Sequence, residues 1–168
     1  MRHTVSILVE NQPGVLTRVA GLFARRGYNI ESLAVGVTHD PSVSCITIVV
    51  SGDDLVIEQV VNQLDKLIDV LEINDISQVK YVDRQLVLIK VKAEPSVRSE
   101  ITQIVDIFRA RIVDIGQETL IIECTGDEGK IQAIEKSLGP FNILELVRTG
   151  KIAMVRGLKY GEDIDEPE

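Results

Sequence analysis

Asn11-Gln12-Pro13-Gly14-Val15 breaks an alternating run and opens a helical one, and that junction decides the fold. Before it, Val5, Ile7 and Val9 fall on one face of a strand over residues 3–10. After it, Val15, Val19, Leu22 and Phe23 recur at helical spacing, with Arg18, Arg25 and Arg26 off the stripe, until Gly27 stops the helix. Pro13 suits a helix opening, where its missing N–H costs nothing. Working outward, residues 29–38 and 43–50 read as strands joined by the turn His39-Asp40-Pro41-Ser42. Gly52-Asp53-Asp54 starts a second helix whose stripe is Ile57, Val60, Val61, Leu64, Leu67 and Ile68, and residues 70–79 supply a fourth strand.

This β-α-β-β-α-β order then restarts. Residues 85–93 alternate as a strand, and Val97, Ile101, Ile104, Val105 and Phe108 form another helical stripe. Residues 112–116 and 119–124 are extended. Gly126-Asp127-Glu128-Gly129 opens a helix bearing Ile131, Ile134 and Leu138; Gly139-Pro140 ends it, and residues 143–147 return as a strand. Glu94-Pro95-Ser96-Val97 stands at the same strand-to-helix junction as Gln12-Pro13-Gly14-Val15, and Arg111-Ile112-Val113-Asp114 follows Tyr28-Asn29-Ile30-Glu31 at nearly the same offset. The repeat predicts an α+β chain of two tandem ferredoxin-like domains, residues 1–79 and 80–157. Residues 158–168 are acidic and without an apolar pattern, which reads as a solvated tail.

Composition narrows the function. The chain has 168 residues, 45% hydrophobic and 26% charged, with no Trp and a formal net charge of −8. Such apolar content excludes disorder for the bulk of the chain. A pI near 4.8 argues against a nucleic-acid partner. No stretch spans a bilayer, and the N-terminus reads as carrying no secretion signal. Cys45 and Cys124 stand alone in apolar runs, as small buried hydrophobes of a reducing, intracellular compartment would.

Catalytic equipment is scarce. The two His, His3 and His39, lie on a strand and in a turn; there is no Gly-x-Ser-x-Gly elbow and no metal-ligand spacing. Asp53-Asp54 reads as a helix start. The chain is therefore expected to have no active site and no cofactor or metal of its own. A ferredoxin-like acyl phosphate hydrolase would need a cation in the loop after strand one; here that loop is Glu10-Asn11-Gln12-Pro13-Gly14, with no Arg until Arg18.

The loop suits a smaller zwitterion. Gly14 lets the N–H groups at the helix start approach a carboxylate, with the helix dipole favouring it. Asn11 and Asn29 offer amide groups to an ammonium or carboxylate, and Val15, Leu16, Ile30 and Leu33 can line an apolar slot. An aliphatic α-amino acid fits that set. Equally, Gly14 can be only a turn glycine and the two Asn only loop-satisfying residues.

Asn11-Gln12-Pro13-Gly14-Val15-Leu16, followed by Gly21-Leu22-Phe23-Ala24-Arg25-Arg26-Gly27-Tyr28-Asn29-Ile30-Glu31-Ser32-Leu33, resembles the N-terminal ACT domain of acetolactate (acetohydroxyacid) synthase small subunits. The resemblance covers residues 1–157, including Arg148-Thr149-Gly150. It implies that the first domain is an ACT domain in a non-catalytic regulatory subunit of branched-chain amino acid biosynthesis. The large catalytic subunit would be its partner, carrying thiamine diphosphate, Mg²⁺ and FAD. The chain would activate that partner and confer feedback inhibition by valine, with leucine or isoleucine as further effectors. The effector site implied is Asn11, Gly14, Val15, Asn29 and Ile30, shared between two ACT domains in a homodimer. The second repeat has Ala93, Ser96 and Ile112 at the places of Asn11, Gly14 and Asn29, so no equivalent pocket is expected there. A cytoplasmic location is implied, with a plastid left open. The alternative is a free-standing amino-acid-sensing ACT module that regulates another enzyme.

Overall fold

β1 (Arg2–Glu10) is a central strand because its alternate residues Val5, Ile7 and Val9 are all buried under helices α1 (Val15–Arg26) and α2 (Asp54–Leu64). With β2 (Ile30–Val37), β3 (Val43–Ser51) and β4 (Val70–Asp75) it forms an antiparallel sheet in the order β2-β3-β1-β4. The computed structural model describes residues 2–157, so the tail expected at 158–168 lies outside the described residues. The chain divides into two compact units: residues 2–82 with 150–157, and Asp83–Thr149.

Local chemistry explains the helix limits. Gly14 at φ +84° and Gly27 at φ +71° are left-handed, so α1 starts directly after the first and ends directly before the second. The helix expected to open at Pro13 therefore opens at Val15. Tyr28 N donates to Phe23 O at 3.0 Å, closing the C-terminal turn. Asp53 caps α2 by accepting from Val56 N at 2.9 Å. The helix expected to carry its stripe to Ile68 ends at Leu64; Leu67 N turns back onto Leu64 O and Leu67 still packs on the core, whereas Ile68 is left 93% exposed.

The second unit repeats the plan with β5 (Tyr81–Lys92), α3 (Arg98–Ile107), β6 (Arg111–Ile115), β7 (Thr119–Gly126), α4 (Glu128–Leu138) and β8 (Ile143–Arg148), in the order β6-β7-β5-β8. Its core matches the first position by position: Val5, Ile7, Val9, Val19 and Phe23 recur at one constant offset as Val87, Ile89, Val91, Ile101 and Val105. Ile46 and Ile48 recur at a smaller offset, as Ile122 and Cys124, because β6 and its turn are shorter than β2 and its turn. The chain is thus α+β, two tandem ferredoxin-like domains.

One strand has no counterpart in the sequence reading. β9 (Ile152–Val155) pairs with β5, and Arg156 N donates to Lys80 O at 2.9 Å. Residues 150–157 group with the first compact unit. Gly150 lies against the Leu33–Ala34 peptide, and Lys151 N donates to Ser32 Oγ at 2.7 Å.

Candidate functional site

Glu10 ends β1, and the loop after it is tied down on two sides. Glu10 N donates to Asp69 O at 2.9 Å, and Asn11 N donates to Ser42 O at 2.7 Å. Asn11 Nδ2 adds a bond to Pro41 O at 2.9 Å, which sets this side chain against the β2–β3 turn. No side chain caps α1, and its first turn holds no acidic residue. The N–H groups of Leu16 and Thr17 accordingly have no acceptor among the described residues. Gly14 is exposed and offers bare backbone beside them. An anion is what this end of α1 attracts.

The loop is closer to a cation than its sequence suggests. Helical side chains lean toward the N-terminus, and Arg18 does so: a Cβ built on Gly14 would stand 3.8 Å from Arg18 Nη1. The guanidinium is also engaged, with Nη2 lying 2.7 Å from Asp69 Oδ2. Asp69 thus balances the positive charge over the loop.

The other two expected residues sit elsewhere. Asn29 is exposed just after the α1 C-cap, and its side chain has no partner among the described residues. Ile30 is half-buried and starts β2. Ile30 pairs with Val50, and Val50 pairs with His3, whereas Glu10 pairs with Val43. The stretch of strand from His3 to Glu10 puts Asn29–Ile30 and Asn11–Gly14 at opposite ends of the sheet, about 24 Å apart along the strands at ~3.4 Å per residue. The structure therefore groups Asn11, Gly14 and Val15 at one end and Asn29 with Ile30 at the other. It does not join the groups within one chain.

The apolar lining also differs from expectation. Val15 is 3% exposed and belongs to the core, so only its backbone faces the loop. Leu33 packs on the same core, while Leu16 is 42% exposed. Val35 and Val37, 46% and 59% exposed, escape the sequence reading. They pair with Ile46 and Ser44, on the helix side of β2, at the Asn11 end. Their alternation in Leu33-Ala34-Val35-Gly36-Val37 is the signal that could have found them.

In the second unit Ala93 cannot tie its loop to the neighbouring turn as Asn11 does. Arg98 does so instead, with Nε donating to Ala93 O at 3.0 Å and Nη2 to Gly116 O and Gln117 O, each at 2.6 Å. A guanidinium fastened to three carbonyls occupies the helix start where the first unit leaves open N–H groups.

Other chemistry is thin. His3 is buried with Nδ1 3.4 Å from Asp75 Oδ2 and Nε2 3.6 Å from Asp54 Oδ1. His39 is exposed in its turn. Burial pushes the Cys124 thiol up, with Lys130 opposing slightly. Cys45 Sγ lies 3.7 Å from Ser6 Oγ. Among the described residues no group of three or more His, Cys, Asp or Glu could hold a metal ion, and no helix is long and apolar enough to cross a membrane.

Residues 5–72 match the family described as the AHAS small subunit-like ACT domain, and residues 84–157 match the family described as the small subunit of acetolactate synthase. The probable acetolactate synthase small subunit of Archaeoglobus fulgidus is 55% identical over 159 residues, covering 95% of this chain and 99% of that protein. The chain belongs to the acetolactate synthase small-subunit family. The family's Aquifex aeolicus member is 49% identical over 166 residues, covering 98% of this chain and 86% of its own length. The crystal structure of the small subunit from Thermotoga maritima superposes with a TM-score of 0.87 at 42% identity, covering 94% of this chain and 99% of that one. The two family matches span both halves of the chain, the loop of Asn11 and Gly14 included.

Proposed function

We propose that this chain is the regulatory subunit of an acetolactate synthase, binding valine between the ACT domains of two copies and passing that occupancy to a large catalytic subunit. The observation that carries the reading is the separation of the two half-sites along β2. β2 is an edge strand of its sheet, and edge strands offer unpaired N–H and C=O groups to another chain. Antiparallel pairing of two β2 strands about the Leu33–Ala34 peptide puts Ile30 of one opposite Val37 of the other. Val37 leads directly into the turn that holds Asn11, through Asn11 N to Ser42 O. A twofold dimer thus faces Asn29 and Ile30 of one copy toward Asn11, Gly14 and the Val15 backbone of the other, twice.

The chemistry of each half fits an aliphatic amino acid. The open end of α1 takes the carboxylate, Asn11 and Asn29 take the ammonium, and Ile30, Leu16, Val35 and Val37 surround the side chain. Two buried carbons distinguish valine from alanine, worth roughly 1.6 kcal/mol or about 15-fold. Leucine and isoleucine differ from valine only in fit, so preference among the three is graded. The effector shifts activity only by its differential affinity for two arrangements of the assembly.

Thiamine diphosphate, Mg²⁺ and FAD belong in this reading to the large subunit. No step of the synthase reaction uses a residue of this chain, whose location is the cytoplasm, or the plastid in a plant. The test is a valine titration of synthase activity with and without this chain. Stimulation by the chain together with valine inhibition that requires it supports the proposal. Purification with a different enzyme, and no effect on the synthase, supports a free-standing sensor instead.

A further inference from the structure

Gly150 is the tightest glycine among the described residues. A Cβ there would overlap the Leu33 carbonyl and stand 2.8 Å from Ala34 N, so only a bare backbone can lie against this part of β2. The segment is fastened on both sides of that contact. Thr149 N donates to Leu86 O at 3.0 Å, and Thr149 Oγ1 accepts from Leu86 N at 3.0 Å. Lys151 N donates to Ser32 Oγ at 2.7 Å, and Lys151 is 8% exposed.

The place where this strap lands is as informative as its tightness. The register of β2 against β3 shifts between Ile30 and Ser32, so the strap grips β2 directly beside a bulge. Glu31, at the bulge, is held by Ser51 Oγ and by Arg2 Nε at 2.7 Å, and the Lys151 charge also favours its carboxylate. Asn29 and Ile30 begin on one side of the bulge, and Val35 and Val37 follow on the other. Both ends of the proposed effector site therefore hang on the segment of strand that the strap holds.

We infer that Gly150 and Lys151 form a positioning strap through which effector occupancy along β2 is converted into inhibition, distinct from the residues that bind the effector. The inference rests on the effector reading above and deepens it. A shift of β2 at Ser32–Ala34 has to displace Gly150, because two backbones in contact have no side chain to yield between them. Ser32 and Ala34 are small, which leaves the Leu33–Ala34 peptide open to this approach.

The test uses the reconstituted synthase with Gly150→Ala and Ser32→Ala. Gly150→Ala lifts the strap from β2, and Ser32→Ala removes only the Lys151 N bond, which keeps the experiment interpretable where the first variant folds poorly. Valine binding to the full chain is measured by calorimetry, and inhibition and effector-free stimulation are measured on the assembled enzyme. Binding is expected to stay within about threefold of the parent, and effector-free stimulation to persist. The maximal inhibition at saturating valine is expected to fall by about half in Ser32→Ala and nearly to zero in Gly150→Ala, since coupling between sites is a quantity separate from affinity. Undiminished inhibition in both variants overturns the strap and leaves the effector reading standing. Proportional loss of binding and inhibition overturns it as well, because the strap would then merely support the pocket. A parent chain that neither binds valine nor confers inhibition overturns both.

Discussion

Replacing Gly14 by Asp, with Gly14→Ala as its control, separates backbone geometry from charge at the proposed carboxylate position. Space is not the issue, since a Cβ at Gly14 meets only Arg18 Nη1 at 3.8 Å, an ordinary contact. Both substitutions carry a conformational cost of roughly 1–2 kcal/mol, because φ is +84°. The Asp variant adds a negative charge where the carboxylate of valine is to sit. Two such charges about 4 Å apart repel by ~1 kcal/mol in bulk water and by ~4 kcal/mol at an effective dielectric near 20. Gly14 is exposed and Arg18 offsets part of the charge, so the lower half of that range applies, about 1–2 kcal/mol. Valine affinity in Gly14→Asp should therefore drop about five- to thirtyfold beyond that in Gly14→Ala. Calorimetry on the full chain reads the affinity, and the reconstituted synthase shows whether stimulation without valine survives, as it should. Equal affinities in the Asp and Ala variants would refute the carboxylate assignment, and parallel loss of stimulation would refute a separate effector site.

Three further outcomes are expected. Asn29→His places a bulkier ring at a side chain that has no internal partner among the described residues, so calorimetry should show weaker valine binding at unchanged thermal stability; unchanged binding removes Asn29 from the site. Arg98→Ala removes three hydrogen bonds from a charged donor, a loss of about 2–3 kcal/mol from the second unit that should appear as faster amide exchange around residues 93–98 and 116–117. Ser51→Ala removes the main interaction, ahead of Arg2, that holds the Glu31 carboxyl below its ordinary range. A depressed carboxylate stabilises the fold above its ordinary pKa and loses that effect as pH falls through the folded value. The stability gap between parent and Ser51→Ala, followed by urea unfolding, should be full at neutral pH and should close as pH falls below the ordinary glutamate value and through the lowered one.

Much of the architecture is legible in the sequence because burial here follows simple periods. Val5, Ile7 and Val9, and their repeats Val87, Ile89 and Val91, alternate as strands under helices must, and Gly27 stops α1 where expected. Ile68 misleads because it continues the spacing of α2 after the chain has already turned at Leu67. Of the candidate site, Asn11, Gly14 and Asn29 stand exposed as a binding role requires, but Val15 satisfies the helical stripe by joining the core. Arg18 stands a turn too far along in sequence to reach the loop, yet its side chain recrosses that turn. The strap is invisible to any local pattern: Lys151 meets Ser32 across 119 residues of sequence. The short β9 after Arg148-Thr149-Gly150 carries too little periodicity to announce a strand.

The shortened β6 bears on how large the assembly can grow. An edge as long as β2 in both units would let each chain recruit neighbours on two sides and build fibres without limit. β6 has five residues against eight in β2, and although it too exposes Val113 and Ile115 it offers a shorter run of backbone for pairing. In the proposed dimer, the contact of β2 with its own symmetry mate uses that surface up on both chains at once, so growth would terminate at a pair. Trimming one rim of a duplicated sheet is thus a way to let a protein double without polymerising.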